Sequence, residues 1–239
     1  DDVKEFLIHT SILEQISAPL CNALLKRNDS QLILEKLEKN NLFIVPLDSE
    51  RHWYRYHHLF ADLLKQRLLF SDAAILEGLH NKACDWFEQN YMIDFAIAHA
   101  LEVNNYQKGI QLLDKVVEPM WQKGLHAAIL NYGDMLPDEL VRMNPHFCLY
   151  YSWILITSGQ IQKARPFLTS AEQLTLQMIN DKDSSREAVL FYRKLFGKIA
   201  VAFAYSYSHE EHSDKIFDYC NIAMEYLSGE DPLWYSWAW

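Results

Sequence analysis

One change of period constrains this chain more than any other feature. Before residue 42 and again from residue 57, apolar residues recur at helical spacing. Between them, "LFIVPL" (42–47) is a short run of branched and aromatic residues, and "WYRY" (53–56) alternates Trp53 and Arg55 with Tyr54 and Tyr56. Both are strand patterns, and "DSER" between them reads as the turn of a hairpin. Pro46 has no N–H to give to a ladder, so its strand belongs at a sheet edge.

The helices before the hairpin carry their own punctuation. "VKEFLIHTSIL" sets Phe6, Leu7, Ile8, Ile12 and Leu13 near helical spacing. Ser17 is placed to cap a second helix with Pro19 in its first turn. Asp29 or Ser30 would cap a third, with Leu34 and Leu37 inward and Glu35, Lys36, Glu38 and Lys39 in water. Three helices followed by a β-hairpin is the order of a winged helix, assigned to residues 1–70. Such domains often bind DNA through the third helix. Here its two lysines are cancelled by two glutamates, a poor match to a phosphate groove.

From residue 71 to 239 no strand is predicted. Asn144-Pro145 and Asp231-Pro232 read as caps followed by proline at the first helical position. Ser184-Ser185-Arg186-Glu187 fits a capping box. Gly124 and Gly159 sit where helices should stop. The chain has only 7 Gly and 7 Pro, which favours long regular elements. "WFEQNYMIDFAIAHAL" and "WILITSGQIQKARPFL" share a plan, with Phe87 to Ala96 matching Leu155 to Ala164 at an offset of 68, twice the 34-residue tetratricopeptide (TPR) period. Small residues such as Ala96, Ala100 and Ala164 would let paired helices approach closely. The fold class predicted is mainly α: a winged helix (helices plus one β-hairpin), then an α-α superhelical, TPR-like repeat array over 71–239. The final "DPLWYSWAW" starts a helix and stops inside it, so the expectation is an array truncated at its C-terminus, cut from something longer.

Composition and motifs narrow the chemistry. The net charge is −10, with 9 Lys/Arg against 10 Asp/Glu in the first seventy residues and 13 against 22 in the rest. A nucleic-acid binder usually shows a basic face, and the chain as a whole does not. Cys21, Cys84, Cys148 and Cys220 are far apart, without the C-x-x-C of zinc ribbons or redox pairs. They read as reduced, packed thiols. No basic-then-apolar leader opens the chain, and no apolar run approaches a membrane span; a soluble, cytoplasmic protein with no membrane partner is expected. His9, His52, His57 and His58 lack ligand spacing, and "HEEH" (209–212) is not H-E-x-x-H, so no metal is expected. No nucleophile motif is present. Gly197-Lys198 has Tyr192 where a phosphate loop needs glycine. No catalytic residue is assigned, and the chain is expected not to be an enzyme. Stacked helical pairs offer a concave face to peptides or small molecules, with Tyr150, Tyr151, Trp153, Tyr205 and Tyr207 as possible lining; core packing of these aromatics is the favoured reading.

"FLIHTSIL", "APLCNAL", "LEKLEKNNLFIVPLD", "RHWYRYHHLFADLL" and "LHNKACDWFEQN" with "AIAHAL" together resemble one family. It is the large ATP-dependent LuxR-type transcriptional regulators, signal-transduction NTPases typified by the maltose-regulon activator of enteric bacteria. The likeness is dense over about residues 5–115 and looser through "MNPHFCLYYSWIL". It implies a central piece of a longer regulator, with an NTPase domain upstream and a DNA-binding helix-turn-helix downstream. It further implies that an unknown small-molecule or protein inducer binds the repeats and that the activated full-length protein self-associates. ATP and ADP belong to that full-length protein, with no cofactor held by this piece alone. The position matching the family's nucleotide-contacting histidine is His57, which would touch an ADP phosphate. Tyr54 or Tyr56, with Leu59 and Phe60, would pack beneath it. The alternative is a stand-alone TPR-like protein–protein interaction scaffold.

Overall fold

The computed structural model describes residues 2–70, 73–209, 213–227 and 231–236. The chain packs as two compact units, Asp1–Gly109 and Ile110–Trp239.

The first unit opens with α1 (Asp2–Thr10), α2 (Ala18–Leu25) and α3 (Ser30–Lys39). Ile12 and Leu13 fall in the turn after α1 and are buried there. Ser17 caps α2 by accepting from the Leu20 N–H at 3.4 Å, with Pro19 in the first turn. Asp29 is the residue before α3 but makes no side-chain cap. Leu34 and Leu37 are buried, as the pattern requires.

The hairpin is short: β1 (Ile44–Pro46) runs antiparallel to β2 (Tyr54–Tyr56), with Ile44 opposite Tyr56 and Pro46 opposite Tyr54. Asn41 and Phe43 have positive φ, which delays the strand past Leu42. Tyr54 and Tyr56 are buried and Arg55 is exposed, the alternation read from the sequence. Ile16 exchanges both backbone hydrogen bonds with Tyr54, each 2.8 Å, on the opposite side of β2. The hairpin therefore has a third, one-residue rung, and β1 with its Pro46 is left at the edge. The turn is built by Asp48, whose carboxylate accepts the N–H groups of His52 (3.0 Å) and Trp53 (2.7 Å). Those bonds hold its carboxyl below the usual carboxylate range.

Next come α4 (His58–Leu69), α5 (Ala73–Gln89) and α6 (Ile93–Glu102). The compact unit thus extends well past residue 70. α5 packs against α2 and α6, and Lys82 Nζ donates to the Leu24 carbonyl at 3.1 Å. Thr10 Oγ1 donates to the Phe6 carbonyl (2.7 Å) and lies 2.6 Å from the Tyr56 hydroxyl, tying α1 to β2 inside the core.

The helices that follow are α7 (Tyr106–Gln122), α8 (His126–Met135), α9 (Asp138–Arg142), α10 (Pro145–Thr157), α11 (Ile161–Asn180), α12 (Arg186–Ser208), α13 (Ser213–Leu227) and α14 (Pro232–Ser236). In the second unit α10 is the axis. Every residue from Phe147 to Ile156 is buried, as expected of a helix surrounded by others. It packs on α8, α9, α11 and α12, and α12 pairs along its length with α13. Ala96, Ala100 and Ala164 are completely buried at the α5–α6 and α10–α11 seams. Gly124 and Gly159 end their helices at φ 75° and 80°. The two bonds of the 6→1 and 5→2 motif close both ends, Leu125 to Met120 and Gly124 to Trp121, then Gln160 to Leu155 and Gly159 to Ile156. A winged helix followed by helical repeats is the architecture observed.

One expectation needs correction. Ser185, not Ser184, caps α12, accepting from Ala188 N at 3.1 Å, while the Ser184 hydroxyl turns to Asp181. Tyr150, Tyr151, Trp153 and Tyr207 are buried packing residues and Tyr205 is half-buried, in line with the core-packing reading of these aromatics. The expected helix end at residues 237–239 lies outside the described residues.

Candidate functional site at the hairpin to helix joint

The backbone fixes His57 from three sides. Its N–H donates to the Phe43 carbonyl at 2.7 Å, and its own carbonyl accepts from the Phe60 and Ala61 N–H groups at 2.9 Å each. The residue stands at the N-cap of α4 with no side-chain cap bond. That leaves an exposed imidazole on a rigid mount, its ring 4.4 Å from that of His58.

The surroundings follow from helix periodicity. Phe60, Leu64 and Leu68 recur at four-residue spacing, and Leu64 and Leu68 are buried. Phe60 stacks on Phe43 (centroids 5.1 Å) and meets Tyr56 edge-on (5.8 Å). Leu59 and Leu63 form a second row that points outward, 67% and 48% exposed. Leu59 is therefore not packing, contrary to expectation. With Phe43, 58% exposed, it adds apolar surface beside the two histidines.

The other histidines named from the sequence go elsewhere. His52 pairs with Glu50 at 3.2 Å and His9 faces Glu5 at 3.8 Å. Among the described residues no group of three His, Cys, Asp or Glu could hold a metal ion. In "HEEH", residues 210–212 lie outside the described residues. On the wing, Arg51 Nε is bonded to Glu38 of α3 at 3.0 Å.

A second polar cluster, not anticipated from sequence, lies partly buried in the repeat unit. His146 on α10 approaches Asp114 Oδ1 (3.3 Å) and Glu118 Oε2 (3.6 Å), both on α7. Lys198 on α12, a buried residue, bridges Glu118 (2.8 Å) and Asp231 (2.9 Å). Burial opposes charge on the His146 ring, but the Asp114 and Glu118 carboxylates outweigh it and push its pKa up to about 9. The adjacent His146 ring, against burial and with help from Lys198, brings Glu118 down to about 2. The cluster sets three carboxylates around His146 and Lys198 and joins α7, α10 and α12, with His146 and Asp114 32 residues apart and Lys198 and Glu118 80 residues apart in sequence.

Among the described residues no helix is long and apolar enough to cross a membrane. Residues 1–86 match the family model of the MalT winged helix domain. An HTH-type transcriptional regulator MalT from Serratia proteamaculans (strain 568) is 28% identical over 191 residues, covering 78% of this chain and 21% of that protein. The serine/threonine-protein kinase PknK of Mycobacterium tuberculosis (strain ATCC 25618 / H37Rv) is 26% identical over 152 residues, covering 64% of this chain and 14% of that protein. The PknK of Mycobacterium bovis (strain ATCC BAA-935 / AF2122/97) is likewise 26% identical over 152 residues. The chain spans about a fifth or less of the length of these relatives. Residues 1–86 are therefore similar to the MalT winged helix domain, on a chain whose relatives include the MalT-type regulators.

Proposed function

We propose that this chain is the central part of a cytoplasmic bacterial transcriptional regulator. In this reading the winged helix docks on an NTPase domain that precedes it in the full-length protein, and the helical repeats receive the inducer. DNA is bound only through a domain beyond residue 239, and the chain itself is not an enzyme. The observation that carries the reading is the exposed His57 imidazole, held on a pinned backbone beside Phe43, Leu59 and Leu63.

The chemistry is simple. A rigidly mounted imidazole N–H donates to a phosphate oxygen of ADP, and the apolar rows cover the neighbouring module. Bound ADP would favour the docked, resting form. Inducer together with ATP would favour an open, self-associating form, a population shift set by differential affinity. A hydrogen bond to a charged group contributes about 1.5–3 kcal/mol. His57→Ala in the full-length protein should therefore weaken ADP binding about tenfold or more and raise basal transcription. Isothermal titration with ADP and a reporter assay without inducer test this together. Unchanged ADP affinity with unchanged basal transcription would remove His57 from the switch.

A further inference from the structure

The first unit contains a cavity of about 300 Å³ that the regulator reading does not use. Its walls come from four places: the turn after α1, α4, α5 and α6. Ile12, Leu68, Leu76 and Phe95 give it an apolar body. The remaining wall is a buried pair of histidines, His80 on α5 and His99 on α6, whose Nδ1 atoms lie 3.0 Å apart. His99 is held flat against Phe87, with ring centroids 5.4 Å apart and 11° between planes.

That short contact has a chemical consequence. Of two facing Nδ1 atoms, one must carry the proton and the other must accept it. The ring that donates through Nδ1 is then a bare acceptor at Nε2. The ring that accepts carries its hydrogen on Nε2 and is a donor there. Burial keeps both rings uncharged at neutral pH: it lowers His80, and with help from His80 and Lys65 it brings His99 down to about 4. The pair thus leaves one neutral donor and one neutral acceptor on the two rings that line the apolar cavity.

The charges around it are few. Lys65 lies on α4, Glu14 follows α1, and Glu102 ends α6, so two carboxylates outnumber one ammonium along the lining. An anionic ligand would meet that acidic edge, and a cationic one would meet no buried carboxylate to pair with. A pure hydrocarbon would leave the histidine edges unmatched, a cost of about 1–3 kcal/mol for each lost polar partner.

We propose that this cavity is a binding site for a small uncharged molecule with an apolar body and one hydroxyl or amide group, which the His80–His99 pair recognises as both donor and acceptor. The volume is at the lower end of the range for small-molecule sites. Because the walls join the turn after α1 and α4 to the α5–α6 pair, an occupant ties the winged helix to the first helical pair. The inference stands independently of any nucleotide contact at His57.

The test uses the 239-residue chain labelled with ¹⁵N-histidine, read by long-range imidazole NMR and by thermal melting. Benzyl alcohol and benzamide are the probes, with toluene, benzoate and benzylamine as controls. Both probes should shift the His80 and His99 ring signals, raise the melting temperature, and bind at least about tenfold more tightly than the controls. Ala98→Phe adds a ring at an exposed position of the cavity mouth and should weaken probe binding about tenfold while leaving the histidine pairing signals in place. His99→Phe should abolish the preference for benzyl alcohol over toluene. Should that variant not fold, Ala98→Phe still decides. Absence of any probe-induced shift, equal affinity for toluene or benzoate, or full binding by Ala98→Phe would each overturn the proposal.

Discussion

Raising the pH should unclamp the repeat unit, and His146 sets how much. Its ordinary value is 6.5, and in the folded chain it stands at about 9. The gap corresponds to about 3 kcal/mol of folded-state preference for the charged ring. Because the folded value is the higher one, this contribution is complete below pH 6.5 and is lost as pH rises through about 9. Glu118 is the opposite case, from 4.5 down to about 2. Its contribution is complete above pH 4.5 and is lost as pH falls through about 2. The two shifts share the same bonds and are not added. For a unit of this size, about 3 kcal/mol moves the melting temperature by roughly 10 °C. Circular-dichroism melts from pH 6 to pH 9.5 should record that fall in the transition of the repeat unit. Thiols add little background, since burial pushes Cys84 up to about 11 and Cys148 well above the usual thiol range. His146→Phe should start lower, because Asp114 and Glu118 lose a partly buried partner, by less than the full penalty of a buried pair since both carboxylates stay about a third exposed, and should show no slope between pH 6.5 and 9. A flat wild-type profile, or an equal slope in the variant, would refute the reasoning.

Two further substitutions probe the seams. A Cβ at Gly133 would sit 2.2 Å from Tyr151 Cε2, with the ring held between α8 and α10, so Gly133→Ala should cost about 1–3 kcal/mol and lower the melting temperature by several degrees; an unchanged melt would mean that α8 moves aside freely. Tyr56→Phe removes the buried 2.6 Å contact with Thr10 while Thr10 keeps its bond to the Phe6 carbonyl, so the urea midpoint should fall by the equivalent of about 1 kcal/mol with the denaturant slope unchanged; no change in midpoint would show that the contact contributes nothing net.

What was legible in the sequence was periodic or locally punctuated. Tyr54 and Tyr56 alternate with Arg55, and a period of two needs only neighbours to be read. Ser17, Gly124 and Gly159 act on backbone groups within a few residues, so their roles are also local. Ile16 was missed because a one-residue rung has no period. Leu59 was misplaced because "HHLFADLLKQRLL" carries two apolar rows, Phe60-Leu64-Leu68 and Leu59-Leu63, and spacing alone does not say which faces the core. Ser184 was chosen over Ser185 because its spacing to Glu187 matched a box, whereas the helix begins one residue later. The charge clamp around His146 and the His80–His99 pair were invisible for a different reason. Each joins side chains from separate helices, and a solitary buried histidine looks like any other until its partner is in place.

The stretch from Arg51 to Phe60 resolves by subtraction. Arg51 is committed to Glu38 and His52 to Glu50. Trp53 gives its N–H to Asp48 and its ring meets Trp86 edge-on at 6.4 Å. Tyr54 and Tyr56 are core, and Phe60 lies between Tyr56 and Phe43. Arg55, His57, His58 and Leu59 remain at the surface. Three of these four can donate a hydrogen bond to a phosphate oxygen, and the fourth is apolar. Of the three, only His57 has its backbone anchored to the hairpin through the Phe43 carbonyl and also caps a helix with its own carbonyl. Both backbones are fixed, but the short imidazole side chain of His57 has little to order when it meets a phosphate, whereas Arg55 would have to order its whole flexible stem. That difference is why His57, among the exposed polar residues of the joint, is the one whose removal should separate nucleotide retention from stability.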